Sequence, residues 1–496
     1  MSAVPVTAPT RRTWIALGVL ATTTLMTILD GSIVTVALPA MQADLGFSPS
    51  ALSWVMNAYL LGFGSLLLLA GRLGDLIGRR RVFLAGTAIF TVASVLAGVA
   101  TGAGTLLAAR FVQGVGSAAA TAVSLGILVA LFAEGRHRAF AIAVFSFTGA
   151  AGAAIGQVIG GILTEAAGWH SIFLINLPIG AAAIGLGALV LPADRGVGLR
   201  AGADVLGALL VTTGLALALH TVVIGAEHGP SETVAITGLT AAALLAAFVL
   251  RQATATYPLL PLRIFRHRAV TGANAAQILI LAAMFGFQVL VTLYMQRVLG
   301  WSALDTGLAM LPAALLIGTI SLTASAPLIS RFGARRILLA GLSLLALLFA
   351  WLARLPTDGT YATDILPAML LAAGAGLVLP ALTTLGMSAA GPADAGLASG
   401  IFNTTQQIGM ALGVATLSGL AATRTHTLTS TGTPEAEALT AGYRLAFLAG
   451  ASLILAAMAL TTLILRPGAT RGRSMDSQFS PIRARVEKPT RGGAAR

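Results

Sequence analysis

The stretch Gly71-Arg-Leu-Gly-Asp-Leu-Ile-Gly-Arg-Arg-Arg81 returns later in the chain as Ala326-Pro-Leu-Ile-Ser-Arg-Phe-Gly-Ala-Arg-Arg336. At one fixed offset Leu73 coincides with Leu328, Gly78 with Gly333, Arg80 with Arg335 and Arg81 with Arg336. Each copy ends one apolar run and opens the next, so each is a polar turn between two membrane-length segments. A turn of this kind met twice reads as two duplicated halves. Eight apolar runs separate the copies where six-helix halves would give six. Two further helices are therefore inserted between the halves.

Working outward from the two turns, apolar runs fall at 13–38, 50–71, 82–101, 105–131, 139–163, 171–191, 204–224, 233–251, 269–299, 305–329, 337–354, 364–387, 396–421 and 442–465. Most are long enough to cross a hydrocarbon core of about 30 Å. The runs at 204–224 and 233–251 carry the weakest signal, and a twelve-helix chain with a long central loop is the rival reading. Composition points the same way: 57% of the residues are hydrophobic and only 9% charged, against about 25% charged in soluble domains. So few charges cannot cover a water-facing surface. The expectation is an all-α integral membrane protein of fourteen transmembrane helices.

Basic residues set its orientation. Arg11/Arg12, Arg72/Arg79/Arg80/Arg81, Arg136/Arg138, Arg195/Arg200, Arg251/Arg263/Arg266/Arg268, Arg331/Arg335/Arg336 and the tail from Arg466 all lie on one side of the alternating runs. By the positive-inside rule that side is the cytoplasm, and both termini lie there. The organisation that follows is a cytoplasmic N-terminus (1–12), an N-terminal six-helix half (13–191), a linker with the two extra helices (192–268), a C-terminal six-helix half (269–465) and a basic, disordered cytoplasmic tail (466–496).

Several function classes drop out. The net charge of +13 is dispersed in loop clusters and forms no nucleic-acid stripe. With no cysteine, thiolate metal sites and cysteine nucleophiles are excluded. Lys488 is the sole lysine, so no Walker-A lysine exists. The six histidines are scattered without metal spacing. No catalytic residue, metal site or cofactor is expected, and an intramembrane enzyme or receptor has no residue set to support it.

Two charged residues lie well inside the runs, Asp30 and Arg110. Asp30 stands about 26 Å from the cytoplasmic start of its run and Arg110 about 9 Å from the outer start of its own, at 1.5 Å per residue. Both depths fall in the outer third of the membrane. A lone charge there is costly, which predicts a pair beside a polar cavity. An acid beside an arginine is a proton switch, because the arginine favours the carboxylate and its withdrawal favours the acid. Gly152, Gly156 and Gly160, followed by Gly161, give one helix a smooth face for close contact or sliding. Asn57, Tyr59, Gln113, Gln157, Asn403, Gln406 and Gln407 form a candidate polar set facing a substrate cavity.

These residues resemble the major facilitator superfamily, and specifically its fourteen-spanner drug:proton antiporters. Leu29-Asp-Gly-Ser-Ile-Val-Thr-Val-Ala-Leu-Pro39 is similar to that group's first-helix signature, with Asp30 as its acid. Ala109-Arg-Phe-Val-Gln-Gly-Val-Gly116 resembles the fourth-helix motif, whose arginine, here Arg110, is implicated in proton coupling. The stretch 71–81 resembles the superfamily's loop motif, which implies a conformational switch at Gly71, Gly74, Asp75, Gly78, Arg79 and Arg80. In that motif the acid and the arginines lock one state through cross-loop pairs and a helix end. The stretches 169–178, 258–265 and 398–409 look like further signatures of the group.

The resemblance implies proton-coupled export of amphipathic small molecules across the cytoplasmic membrane by a monomer, without cofactor, driven by the proton motive force. Two departures stand out. Gln157 follows Gly156 where the antiporter motif has proline, which leaves a proton-coupled importer on the same fold as the alternative. Trp169-His-Ser171 replaces the usual Trp-Arg-Trp.

Overall fold

The computed structural model describes residues 10–48, 51–132, 136–198, 202–229, 231–266, 268–387 and 395–464. The tail from 466 lies outside the described residues, as do residues 1–9. Fourteen membrane-length helices run through what is described: α1 (Arg11–Leu45), α2 (Ser53–Ile77), α3 (Arg79–Gly98), α4 (Ala103–Leu131), α5 (Arg136–Ala167), α6 (Ser171–Val190), α7 (Val205–His228), α8 (Glu232–Thr254), α9 (Arg268–Arg297), α10 (Ala303–Phe332), α11 (Ala334–Leu352), α12 (Tyr361–Gly386), α13 (Ala395–Ser430) and α14 (Glu435–Leu463). The fourteen-helix reading therefore holds over the twelve-helix one.

Helix ends are set by capping, not by hydropathy. The Thr10 hydroxyl accepts from the Thr13 N–H to start α1, and Gly46 closes it with φ 68°. Pro39 lies inside that 35-residue helix. The helix runs on beyond the apolar run 13–38, and α13 likewise outlasts its run. Polar turns cost nothing once they emerge into water, so the apolar edge marks the bilayer and the cap marks the helix. Three helices are interrupted: α6 at Ile175, α10 by a π-turn over Ile320–Ala324, and α12, which opens on a π-turn over Tyr361–Ile365, at Ala372 and Ala373.

In the N-terminal half α1 packs on α5, and α4 on α2 and α3; in the C-terminal half α9 packs on α13 and α14. The halves meet along α2 with α13 and α5 with α10. The inserted helix α7 lies against both α2 and α13, bordering a narrow crevice of about 10 Å³ with Leu60, Gly64, Leu215, Leu219, Gln407 and Ala411. Its partner α8 is the outer one, with Leu239 73% exposed.

A charge clamp holds the base of this hairpin. Asp204 caps α7 through the Gly207 N–H at 2.9 Å and accepts from Arg251 Nε at 2.5 Å and Gln252 Nε2 at 2.7 Å. Burial pushes the Asp204 carboxyl up, but these donors outweigh it and hold it below the usual carboxylate range.

The two copies of the quoted turn share one backbone. Gly78 and Gly333 precede α3 and α11 with φ 101° and 84°, a region open to glycine and strained for side chains. In each copy the glycine N–H bonds the carbonyl four residues back. Arg80 donates to the Ala188 carbonyl at the end of α6. Its counterpart Arg335 donates to the Thr462 carbonyl, at 3.0 Å, at the end of α14. Each arginine ties its turn to the last helix of its own half.

Candidate functional site

Asp30 on α1 and Arg110 on α4 meet at 2.5 Å, and neither exposes any surface. The depth matching in the sequence thus corresponds to a direct ion pair. Every contact on the carboxylate is a donor. Oδ2 accepts from Arg110 Nη1, and Oδ1 accepts from Gln113 Nε2 at 2.8 Å and Asn176 Nδ2 at 3.1 Å. The same two amides both donate to Ser94 Oγ, at 2.7 and 2.8 Å. Asp30 and Ser94 are therefore bridged twice, once from α4 and once from α6.

The arginine is held through two of its three nitrogens, Nη2 being buried without a hydrogen-bond partner. Its Nε donates to the Val55 carbonyl at 3.0 Å and its Nη1 to Gln113 Oε1 at 2.9 Å. The guanidinium lies 4.6 Å from the Tyr59 ring centroid and 5.7 Å from that of Phe173, within cation–π range. Tyr59 is in turn fixed by the Ser117 hydroxyl at 2.8 Å. An acid stripped of water survives as a carboxylate only with such partners. The sequence predicts a polar cavity beside the pair; among the described residues Tyr59, Phe173 and the Val55 carbonyl of α2 border the guanidinium, and the pair is enclosed in this conformation.

The glycine stripe packs on α1. A Cβ at Gly156 would lie 2.9 Å from the Leu29 carbonyl oxygen, and one at Gly160 would lie 2.9 Å from that of Ile33. Gly152 faces Leu25 and Ile28. Leu29 immediately precedes Asp30, so the stripe abuts the helix segment that carries the acid. Gly161 faces the other way, toward Ala303 and Leu304 of α10, while Gly307 of α10 abuts the Gln157 carbonyl. Thus α5 contacts the acid's helix on one side and the opposite half on the other.

The candidate cavity set divides. Gln113 and Tyr59 belong to the ion-pair network. Asn57 is fully buried with neither polar atom partnered, and Gln157 and Gln407 are buried with Oε1 unpartnered. Gln407 lies across the seam from Gly64, with Gln406 half-buried and Asn403 exposed on the same helix α13.

The loop residues also divide. Asp75 pairs with Arg79 at 3.3 Å within one turn, and both are about half exposed. The acid that reaches across to α3 is Asp194, which the sequence reading missed. Its carboxylate accepts from the Arg79 and Arg80 N–H groups at 2.6 and 3.1 Å, the anion-at-N-terminus arrangement. Gly74 packs on Val123 of α4, and Gly71 lies 3.9 Å from Ala122 by the same measure. Asp75 lends its carbonyl to the Val197 N–H, so the segment after α6 lies along this turn.

Asn176 and Ser94 were also missed. Asn176 stands inside a stretch singled out as a signature, but a single amide in an apolar helix carries no sign of its partner. The Trp169-His-Ser171 departure is partly explained: His170 stacks on Trp169 at 3.7 Å, and Ser171 bonds the Gly168 carbonyl.

Residues 20–414 match the profile of the Major Facilitator Superfamily. The chain is 39% identical to the cephamycin export protein of Amycolatopsis lactamdurans, over 92% of this chain and 94% of that one. It is 38% identical to the puromycin resistance protein of Streptomyces alboniger, over 84% of each. Among solved structures it superposes on the POT family transporter PepTSo with a TM-score of 0.65 at 16% identity, covering 92% of this chain and 99% of that one. A bacterial homologue of the lysosomal transporter Spinster, inward-facing and unoccupied, gives 0.64 at 15% identity, over 92% of this chain and 98% of that one. With two six-helix halves, an inserted hairpin and these relatives, the chain is a multi-pass membrane protein belonging to the major facilitator superfamily of transporters.

Proposed function

We propose that the protein exports hydrophobic or amphipathic small molecules, antibiotics among them, across the cytoplasmic membrane in exchange for protons, with both termini in the cytoplasm. The observation that carries this reading is the enclosed Asp30–Arg110 pair in the membrane interior. An acid held entirely by donors binds a proton only when those contacts loosen, which links protonation to conformation. Export as the direction is supported by the export and resistance proteins among the relatives.

In this reading the working units are 13–191 and 269–465, joined by 192–268. They rock about the α2–α13 and α5–α10 seams, with the stripe Gly152, Gly156, Gly160 and Gly161 as the moving contact. The turn at 71–80 stabilises one state. Asn57, Gln157 and Gln407 carry polar atoms unpaired in this conformation, at a cost of about 1–3 kcal/mol each. Water or substrate satisfies them when the seams part. One proton descending 100 mV supplies about 2.3 kcal/mol, and a pH unit adds about 1.4. Together these support accumulation of several-hundred-fold. A monomer contains the whole device.

The test is uptake of ethidium and puromycin into inside-out vesicles with an acid interior. The expected result is accumulation that a protonophore abolishes. Accumulation only into right-side-out vesicles would establish the importer instead, and protonophore-insensitive uptake would exclude proton coupling.

A further inference from the structure

We infer that Asn176 is the positioning residue that carries the protonation state of Asp30 to the broken helix α6. The inference rests on reading Asp30 as the proton carrier. A carboxylate surrounded only by donors presents a chemical problem at protonation. The new O–H is itself a donor and needs an acceptor. Arg110 keeps its hold on Oδ2, so the proton belongs on Oδ1, where the Gln113 and Asn176 amides now donate. One of these amides must turn over to offer its oxygen.

Gln113 cannot turn. Its Oε1 is held by Arg110 Nη1 at 2.9 Å, and reversal would set an NH₂ group against the guanidinium. Asn176 can. It is fully buried, yet its Oδ1 has no hydrogen-bond partner, so reversal breaks no bond on that side. After the turn, Asn176 Oδ1 accepts the Asp30 proton and the amide nitrogen moves to the unpartnered position. Ser94 keeps its bond from Gln113 and rotates its own hydroxyl toward the new acceptor. The proton arrives from water and stays on Asp30, and no other bond forms or breaks covalently.

The position of Asn176 gives the turn its reach. It is the first residue of the α6 segment Asn176–Val190, directly after the interruption at Ile175, with Pro178 two residues on. The preceding segment Ser171–Leu174 carries Phe173, whose ring lies 5.7 Å from the Arg110 guanidinium. The charged and titratable groups meeting Asp30 are Arg110 from α4 and, through Arg110, Tyr59 from α2. The contacts from α3 and α6, Ser94 and Asn176, are neutral.

The experiment needs no substrate. Infrared difference spectroscopy on the purified full-length protein follows the protonated-carboxyl C=O stretch against pH, with Asp30→Asn defining the band. In Asn176→Leu the carboxylate loses a charge-assisted donor and the acid loses a neutral acceptor. The charged bond is the stronger, so the midpoint rises by about one pH unit, a tenfold gain in proton affinity. The C=O stretch moves to higher frequency because the acid no longer donates. Asn176→Ser, which can donate and accept, shifts both in the same direction by less and serves if the leucine variant does not fold. An unmoved midpoint and band in whichever variant folds would overturn the inference. A band that persists in Asp30→Asn would instead overturn the reading of Asp30 beneath it.

Discussion

The two halves share a frame and differ in what they bury. Gly78 and Gly333 open α3 and α11 in the same left-handed conformation, and Arg80 and Arg335 tie those turns to α6 and α14. Within the membrane the likeness stops. The N-terminal half buries an ion pair with amides around it. The cluster described in the C-terminal half is neutral: Thr405 donates to Asn274 Oδ1 at 2.7 Å and to Gln277 Oε1 at 3.3 Å, joining α13 to α9. The turns differ in the same sense, since Ser330 occupies the place of Asp75. In the proposed mechanism the recurring frame residues are the parts on which both halves rock, and the buried charge marks the half that titrates. On the proposed function, the difference would place the proton in the N-terminal half and leave the C-terminal half to neutral contacts.

The largest effect expected from this contrast is at Arg110. Arg110→Ala leaves a buried carboxylate unpaired, at about 3–5 kcal/mol, and abolishes proton-driven transport. The neutral counterpart Thr405→Val loses about 1 kcal/mol and keeps proton coupling. Thermal unfolding and vesicle uptake read both, and equal damage from the two would break the contrast.

Next in size is Gly156→Leu, which overpacks the contact with Leu29 and Ser32 at about 1–3 kcal/mol and lowers transport at least tenfold. Wild-type transport at equal expression would show that this contact does not move. Arg80→Ala and Arg335→Ala should each cost about 1 kcal/mol and match each other, because each removes bonds to a helix end. A marked inequality in unfolding temperature would show the frame to be unequal. The smallest effect belongs to Asp75→Asn: a half-exposed pair within one turn contributes about 0–1 kcal/mol, so stability should barely change while Asp194→Ala, which removes both acceptors at the start of α3, costs about 1 kcal/mol.

How far the sequence carried can be seen at particular residues. The span count, the repeat and the Asp30–Arg110 pair were legible because hydropathy, fixed offset and depth are all properties of position along a chain. Asn57, Gln157 and Gln407 were legible as polar residues in apolar runs, but not their lack of partners. Ser94, Asn176 and Asp194 were not legible as partners. Each is an ordinary polar residue whose role depends on which helix lies beside it, and that is set by tertiary packing alone. The enclosure of the ion pair was likewise invisible, because a cavity and a packed contact have the same local sequence.

The central claim is that protons move on Asp30. The most direct measurement is proton flux in proteoliposomes, read by a trapped pH dye as ethidium is added against an imposed pH gradient, for wild type and Asp30→Asn. Asn keeps the size and polarity of the site but leaves Arg110 without its counter-charge, so some stability is lost while the fold and downhill ethidium exchange should persist and ethidium-driven proton flux vanish. Undiminished, protonophore-sensitive proton flux in Asp30→Asn would contradict the account.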